Sequence, residues 1–204
     1  MMQPSNSGKT KGKSTKGRFP PNPKQWNVER NGLELRSRLH SDLADALDHE
    51  AAFRTLAHVS INPHGSIPAA DVFLDHFRGA GASSWSGLAM TLEDGHELVF
   101  YNDAHPLSRI RATLMEEYFH LWLGHPRSSI RILDSNGPTR SYDASIEDEA
   151  FQSGAAALVP YWALKKLVDG GRNAGLIAQQ FRVSRDLVIF RSKVTKCYRS
   201  LNRN

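Results

Sequence analysis

Glu116, Glu117 and His120 stand in the stretch Met115-Glu116-Glu117-Tyr118-Phe119-His120. On a helix of 3.6 residues per turn, Glu116 and His120 are four apart and share a face, and Glu117, three before His120, neighbours it too. Two cation ligands and one proton acceptor converge on one stripe. A site of this kind takes three protein ligands and leaves a position open for water. The third donor is expected from Glu147-Asp148-Glu149-Ala150, thirty residues beyond Glu117, with Glu147 first and Glu149 as its alternate. The adjoining run Gly154-Ala155-Ala156-Ala157 has side chains small enough to let two helices approach closely.

The spacing is that of the His-Glu-x-x-His metalloprotease helix, in which the outer pair holds zinc and the inner Glu activates a water, with Glu116 in the first position. Three outcomes follow. Glu116 coordinates, giving one imidazole and two carboxylates, a harder set that accepts Zn²⁺ and also suits Mn²⁺ or Fe²⁺. His125 substitutes, because Gly124 ends the helix and lets the chain bend back, whereas five residues along an unbroken helix lead to the wrong side. Or no metal binds and the fold serves as a recognition module. Each residue also has a plainer reading: an i,i+4 Glu/His pair on a solvated face, and Glu147 and Glu149 as carboxylates favoured near a helix N-terminus.

The elements that must position these groups are legible in outline. Leu35, Leu39, Leu43, Ala46, Leu47 and Ala51 recur at helical spacing, predicting one helix over 33–59 or two joined near His49. Asn62-Pro63-His64-Gly65 reads as a turn, and Ile67-Pro68 as the start of a helix carrying Val72, Phe73 and Phe77. Leu88, Met90 and Leu92, then Asp94-Gly95, then Leu98 to Tyr101 predict a β-hairpin. A helix over 107–123 carries the Glu/His stripe and stops at Gly124. Loop follows, with a short strand at Ile130 to Leu133, then an alanine-rich helix over 146–159, another over 161–168, and two more over 174–199 separated by Arg182-Val183 with Ser184 as cap. The fold class is α+β, mostly helical, with one small antiparallel sheet.

The 204 residues carry a net charge of +5, unevenly spread. Residues 1–30 hold seven Lys/Arg against Glu29 alone, and residues 172–204 hold eight against Asp186, so the part between, 31–171, is acidic at −8. The opening 1–30 lacks any apolar period and reads as a disordered basic tail. Clustered Lys/Arg at both ends makes DNA a candidate partner. Cys197 is the only cysteine, which excludes an internal disulfide and Cys-rich zinc modules and suits a reducing compartment. No apolar run reaches the roughly 18 residues of a membrane helix, and no secretory h-region opens the chain, so the expected location is cytoplasmic and no membrane partner is expected.

The stretch from Asn102 to Pro160 resembles the ImmA/IrrE family of zinc-dependent metallopeptidases. There, a β-hairpin and an Asn-containing turn lead into an R-x-R-x-T-x-x-H-E-x-x-H helix, followed by a helix of pattern E-x-x-A-x-x-F-A-A-x-L-L-M-P. Arg109, Arg111 and Thr113 match the lead-in, Glu117 and His120 the second and last motif residues, and Glu147, Ala150, Ala155, Leu158 and Pro160 the second helix. Glu116 stands where the first ligand His is expected, and Ser153 where a Phe usually packs. The resemblance implies a zincin-like domain over 31–171 and an endopeptidase acting on a regulatory protein, often a DNA-binding repressor. Glu117 would be its general base and proton donor, and Glu116, His120 and Glu147 its metal ligands. The competing class is an inactive pseudo-peptidase that binds protein or DNA.

Residues 176–191 have the pattern of a helix-turn-helix, with Ala178 at the crossing, Val183 in the turn and Ser184 capping a second helix that carries Arg185 and Arg191 as candidate phosphate contacts. The plainer reading is that 172–204 completes the same domain.

Overall fold

A computed structural model describes residues 23–66, 79, 81, 85–126, 130–131, 139–140 and 143–201. Residues 1–22 of the expected tail and the helix expected after Ile67-Pro68 lie outside the described residues. In chain order the described elements are α1 Pro23–Arg38, α2 His49–Phe53, β1 Val59–Pro63, a 3₁₀ turn His64–Ser66, β2 Gly87–Thr91 and β3 Glu97–Tyr101. Then come α3 Leu107–Trp122, the short pair β4 Ile130–Arg131 and β5 Thr139–Arg140, α4 Ala144–Leu158, α5 Tyr161–Asp169, α6 Ala174–Phe181, α7 Arg185–Val194 and α8 Tyr198–Leu201. Among the described residues no helix is long and apolar enough to cross a membrane.

The hairpin forms where Asp94-Gly95 places it. Gly95 takes φ +81°, Asp94 Oδ1 accepts from the His96 N–H at 2.9 Å, and β2 pairs antiparallel with β3 from Gly87↔Tyr101 to Thr91↔Glu97. The sheet is mixed, however. Val59–Pro63, expected as a helix end and turn, is a strand parallel to β3, giving the order β1-β3-β2.

The first helix differs most from expectation. Residues 23–30, read with the tail, are the first two turns of α1, where Val28 and Glu29 are buried. The helix stops at Leu39 although its apolar period runs on. His40 takes the left-handed conformation at φ +50°, and the Ser41 and His40 N–H groups return to the carbonyls of Arg36 and Ser37. No glycine announces this stop. A tertiary contact supplies it: buried Arg36 donates to the carbonyls of Asp42 at 2.6 Å, Asp45 at 3.0 Å and Ala157 at 2.6 Å. Burial lowers its pKa to about 10.

Small residues on α4 seat two helices. A Cβ added at Gly32 of α1 would lie 2.6 Å from the Ala157 backbone nitrogen, and one added at Gly154 would lie 3.0 Å from the Met115 carbonyl carbon in α3. Ser153, in the position of the family's Phe, is fully buried and accepts from Asn31 of α1 at 3.0 Å, so α1 occupies the space a large ring would need. The core runs through Leu35, Leu114, Tyr118, Phe119, Leu158, Ile177 and Phe181, and Val183, Leu187 and Val188 join the same cluster.

Candidate metal centre

Glu116 and His120 lie one turn apart on α3, and Glu147 enters from the first turn of α4, whose N-terminus is capped by Asp143 accepting from the Ser145 N–H at 2.9 Å. Because Gly154 allows α4 to touch the α3 backbone at Met115 and Glu116, the two stripes meet without a side chain between them. Glu116, His120 and Glu147 each offer a ligand atom, and these atoms all lie within 4.8 Å of one another, each residue half-buried. His120 Nε2 is 3.4 Å from Glu147 Oε2.

This donor set fits a divalent cation. Two donors held about 2.1 Å from one tetrahedral ion stand roughly 3.4 Å apart, the spacing of the His120 and Glu147 atoms. Two carboxylates this close repel, and a cation turns the repulsion into ligation. With one nitrogen and two oxygen donors the site is harder than the two-His form.

Glu117 reaches the sheet. Its Oε1 lies 3.3 Å from where a Cβ of Gly87 would be, so the carboxylate sits against the first residue of β2, with Thr113 packed on the same glycine. β2 is an edge strand, its neighbour among the described residues being β3. Nothing in the sequence alone marks Gly87 as the point where sheet and helix meet.

The two alternates fall outside the group of three. Gly124 takes φ +67° and the chain does bend back, with His125 N–H on the His120 carbonyl at 2.9 Å and Gly124 N–H on that of Leu121 at 3.1 Å. It delivers the His125 ring onto the far nitrogen of His120, Nδ1 to Nδ1 at 3.2 Å. Glu149 meets His125 Nε2 at 3.4 Å. Side chains two positions apart on a helix diverge by about 200°, so Glu147 and Glu149 reach different histidines.

The lead-in arginines hold structure together. Arg109 donates to Ser86 Oγ at 2.8 Å. Arg111 is buried, donates to the Leu47 carbonyl at 2.7 Å, and has Nη1 3.3 Å from His49 Nδ1. Burial, then the nearby Arg111 charge, holds the His49 pKa below its ordinary value.

Arg191, a candidate phosphate contact, requires correction. It is 1% exposed, pairs with buried Glu29 at 2.5 Å and donates to the Val159 carbonyl at 3.0 Å. Val188 and Phe181 bury this side of α7 against the core, which turns Arg191 inward. Arg185 is exposed at the start of α7.

A family model, Peptidase_M78, described as the IrrE N-terminal-like domain, matches residues 74–193, more than half of the chain. No curated protein and no solved structure matches it significantly.

Proposed function

The chain belongs to the Peptidase_M78 (IrrE N-terminal-like) family, and from that premise we propose that it is a metal-dependent endopeptidase. The observation that carries this reading is the convergence of Glu116, His120 and Glu147 within 4.8 Å, with a further carboxylate, Glu117, following Glu116 on the same helix and set against the first residue of β2.

In this reading the three converging residues hold a divalent cation, Zn²⁺ first, with Mn²⁺ or Fe²⁺ as alternatives for a set with two carboxylates. When bound, the cation supplies Lewis acidity to the water and to the scissile carbonyl. Glu117 takes a proton from the attacking water as its oxygen joins the carbonyl carbon, then gives it to the departing amide nitrogen as the C–N bond breaks. The substrate lies extended along the edge of β2 that is unpaired among the described residues, where main-chain hydrogen bonds serve any sequence and bring a peptide bond past Gly87 and Glu117.

The substrate class is a regulatory protein of the repressor type, met in a reducing, cytoplasmic setting that suits the lone buried Cys197. DNA contact is assigned only to exposed cations such as Arg185 and to the basic amino-terminal segment.

Protein purified without chelator and analysed for metals should carry about one divalent ion per chain. Glu117→Gln should keep that ion and lose cleavage of a fluorescein-labelled unfolded protein. Metal-free wild-type protein that takes up neither zinc nor manganese would overturn the proposal in favour of a non-enzymatic binding protein.

A further inference from the structure

Leu88, Met90 and Leu92 are 45%, 43% and 41% exposed, and they follow one another at every second residue along β2 and just past its end. The other large apolar side chains exposed among the described residues, Leu107, Trp162 and Leu176, stand singly on three different helices. Strand alternation puts Leu88, Met90 and Leu92 on one face of the sheet and the residues between them on the other. Gly87 meets Thr113 and Glu117 of α3, and Ala89 packs on the core, so the apolar stripe lies on the face turned away from α3. That face is closed over β3, where Phe100, opposite Leu88, is 8% exposed. It is open along β2.

The backbone of the same strand is set to receive a partner. The Asn102 N–H donates to the Ser86 carbonyl at 2.9 Å and the Leu92 N–H to that of His96 at 2.8 Å, so the even-numbered residues here bond to β3. The N–H and C=O groups of Gly87, Ala89 and Thr91 point the other way, to the edge that is unpaired among the described residues. Protein edges are commonly blunted by charge or proline, and Gly87–Thr91 has neither.

We infer that Leu88, Met90 and Leu92 select the substrate: an extended segment with apolar side chains at every second position, seated antiparallel on β2. This inference rests on the reading of the β2 edge as the substrate track. In such a pair, the substrate residues opposite Gly87, Ala89 and Thr91 exchange main-chain hydrogen bonds with them and turn their side chains to the α3 side. Those opposite Leu88 and Met90 form the closer, non-hydrogen-bonded pairs, with Cα atoms about 4.5 Å apart, and their side chains lie on the stripe. An antiparallel chain runs toward Gly87, where Glu117 stands, so the apolar positions precede the bond to be cut.

The test has a readout that needs no cleavage. Glu117→Gln protein is titrated with a short fluorescein-labelled peptide of alternating valine and serine, and binding is read by anisotropy. This peptide should bind roughly tenfold more tightly than one of the same composition with its valines grouped. Adding Leu88→Ser and Met90→Ser together should remove that advantage, with an unchanged melting temperature showing the fold intact. N-methylation at the peptide's serines, whose N–H groups bond to β2 in the antiparallel frame, should abolish binding, and N-methylation at its valines should be tolerated. In the active chain, cut sites in an unfolded protein should show apolar residues at alternate positions before the cut. There, Leu88→Ser with Met90→Ser should raise KM and hold kcat.

Equal binding of the alternating and grouped peptides, or binding indifferent to Leu88→Ser with Met90→Ser, overturns the inference. So does methylation that blocks only at the valines, the frame of a parallel strand. A wild-type dimer that the double variant turns into a monomer also overturns it, by assigning the stripe to a second copy of the chain. Cut sites without alternation overturn it and leave the peptidase reading in place. Selective binding of the alternating peptide by a chain that takes up no divalent ion and cuts nothing upholds the stripe as a selector of extended segments and removes the peptidase reading.

Discussion

Gly154 of α4 lies on the backbone of Met115 in α3, close enough that an added methyl would stand 3.0 Å from the Met115 carbonyl carbon and 3.1 Å from its oxygen. The contact is the hinge pin of the candidate site, because Glu116 follows Met115 and Glu147 lies two turns before Gly154. Backbone atoms cannot step aside as a side chain can. Gly154→Ala should therefore destabilise by about 1–3 kcal/mol, as overpacked cores do, and also weaken metal binding by separating Glu116 from Glu147. Gly32→Ala, clashing with α4 from the α1 side at 2.6 Å, should destabilise more yet spare metal affinity. Urea unfolding and zinc titration of the two variants check the contrast.

Glu29 and Arg191 form a buried ion pair between α1 and α7, each 1% exposed, and Glu29 also accepts from the Tyr161 N–H at 2.7 Å. Removing one member strands the other. Arg191→Met or Glu29→Gln should each cost about 3–5 kcal/mol, and the double variant should cost less than their sum. A double-mutant cycle by chemical denaturation measures this. Losses that simply add would mean the two groups do not work as a pair.

Stability should fall on mild acidification, partly through His49. Its folded pKa lies below the 6.5 of the free side chain, so from 6.5 down to that lower value the unfolded chain binds protons that the folded one refuses. The native state is then favoured above that window and loses ground as pH drops through it. Melting temperatures at pH 7.5 and 5.5 should differ, and His49→Gln should narrow the difference.

Changing the first ligand should change the metal. Glu116→His, restoring two imidazoles, should raise zinc affinity relative to manganese, whereas Glu116→Ala should lower affinity for both. Competition titrations with the two ions read the ratio. If the cation ligates the native state alone, free metal at 100 times its Kd should stabilise the protein by about 2.7 kcal/mol and chelator should remove that increment. Denaturation with and without chelator measures it.

Much of the architecture could be read from local pattern. The hairpin at Asp94-Gly95, the stop at Gly124 and the cap at Ser184 are short-range signals, each formed from atoms within a few residues. Where the expectation failed, the deciding contact came from far along the chain. His40 adopts left-handed φ without being glycine, and α1 ends where Arg36, besides the nearby carbonyls of residues 42 and 45, meets that of Ala157. The parallel strand Val59–Pro63 has no local partner to announce it, since it pairs with residues 97–101. Arg191 has the look of a DNA contact in a basic tail, but its side of α7 packs on the core and its charge meets Glu29, from the far end of the chain.

The candidate site divides along the same line. Helical periodicity by itself places Glu116 over His120, and the small residues of 154–157 by themselves announce a helix able to press close. Which acidic residue completes the group is decided only when α4 docks on α3. Its rotation about its own axis aims Glu147 at His120 and Glu149 at His125, about 200° away. Sequence spacing records which side chains share one helix face; the relative rotation of two packed helices depends on every contact between them, and no single stretch of the chain contains it.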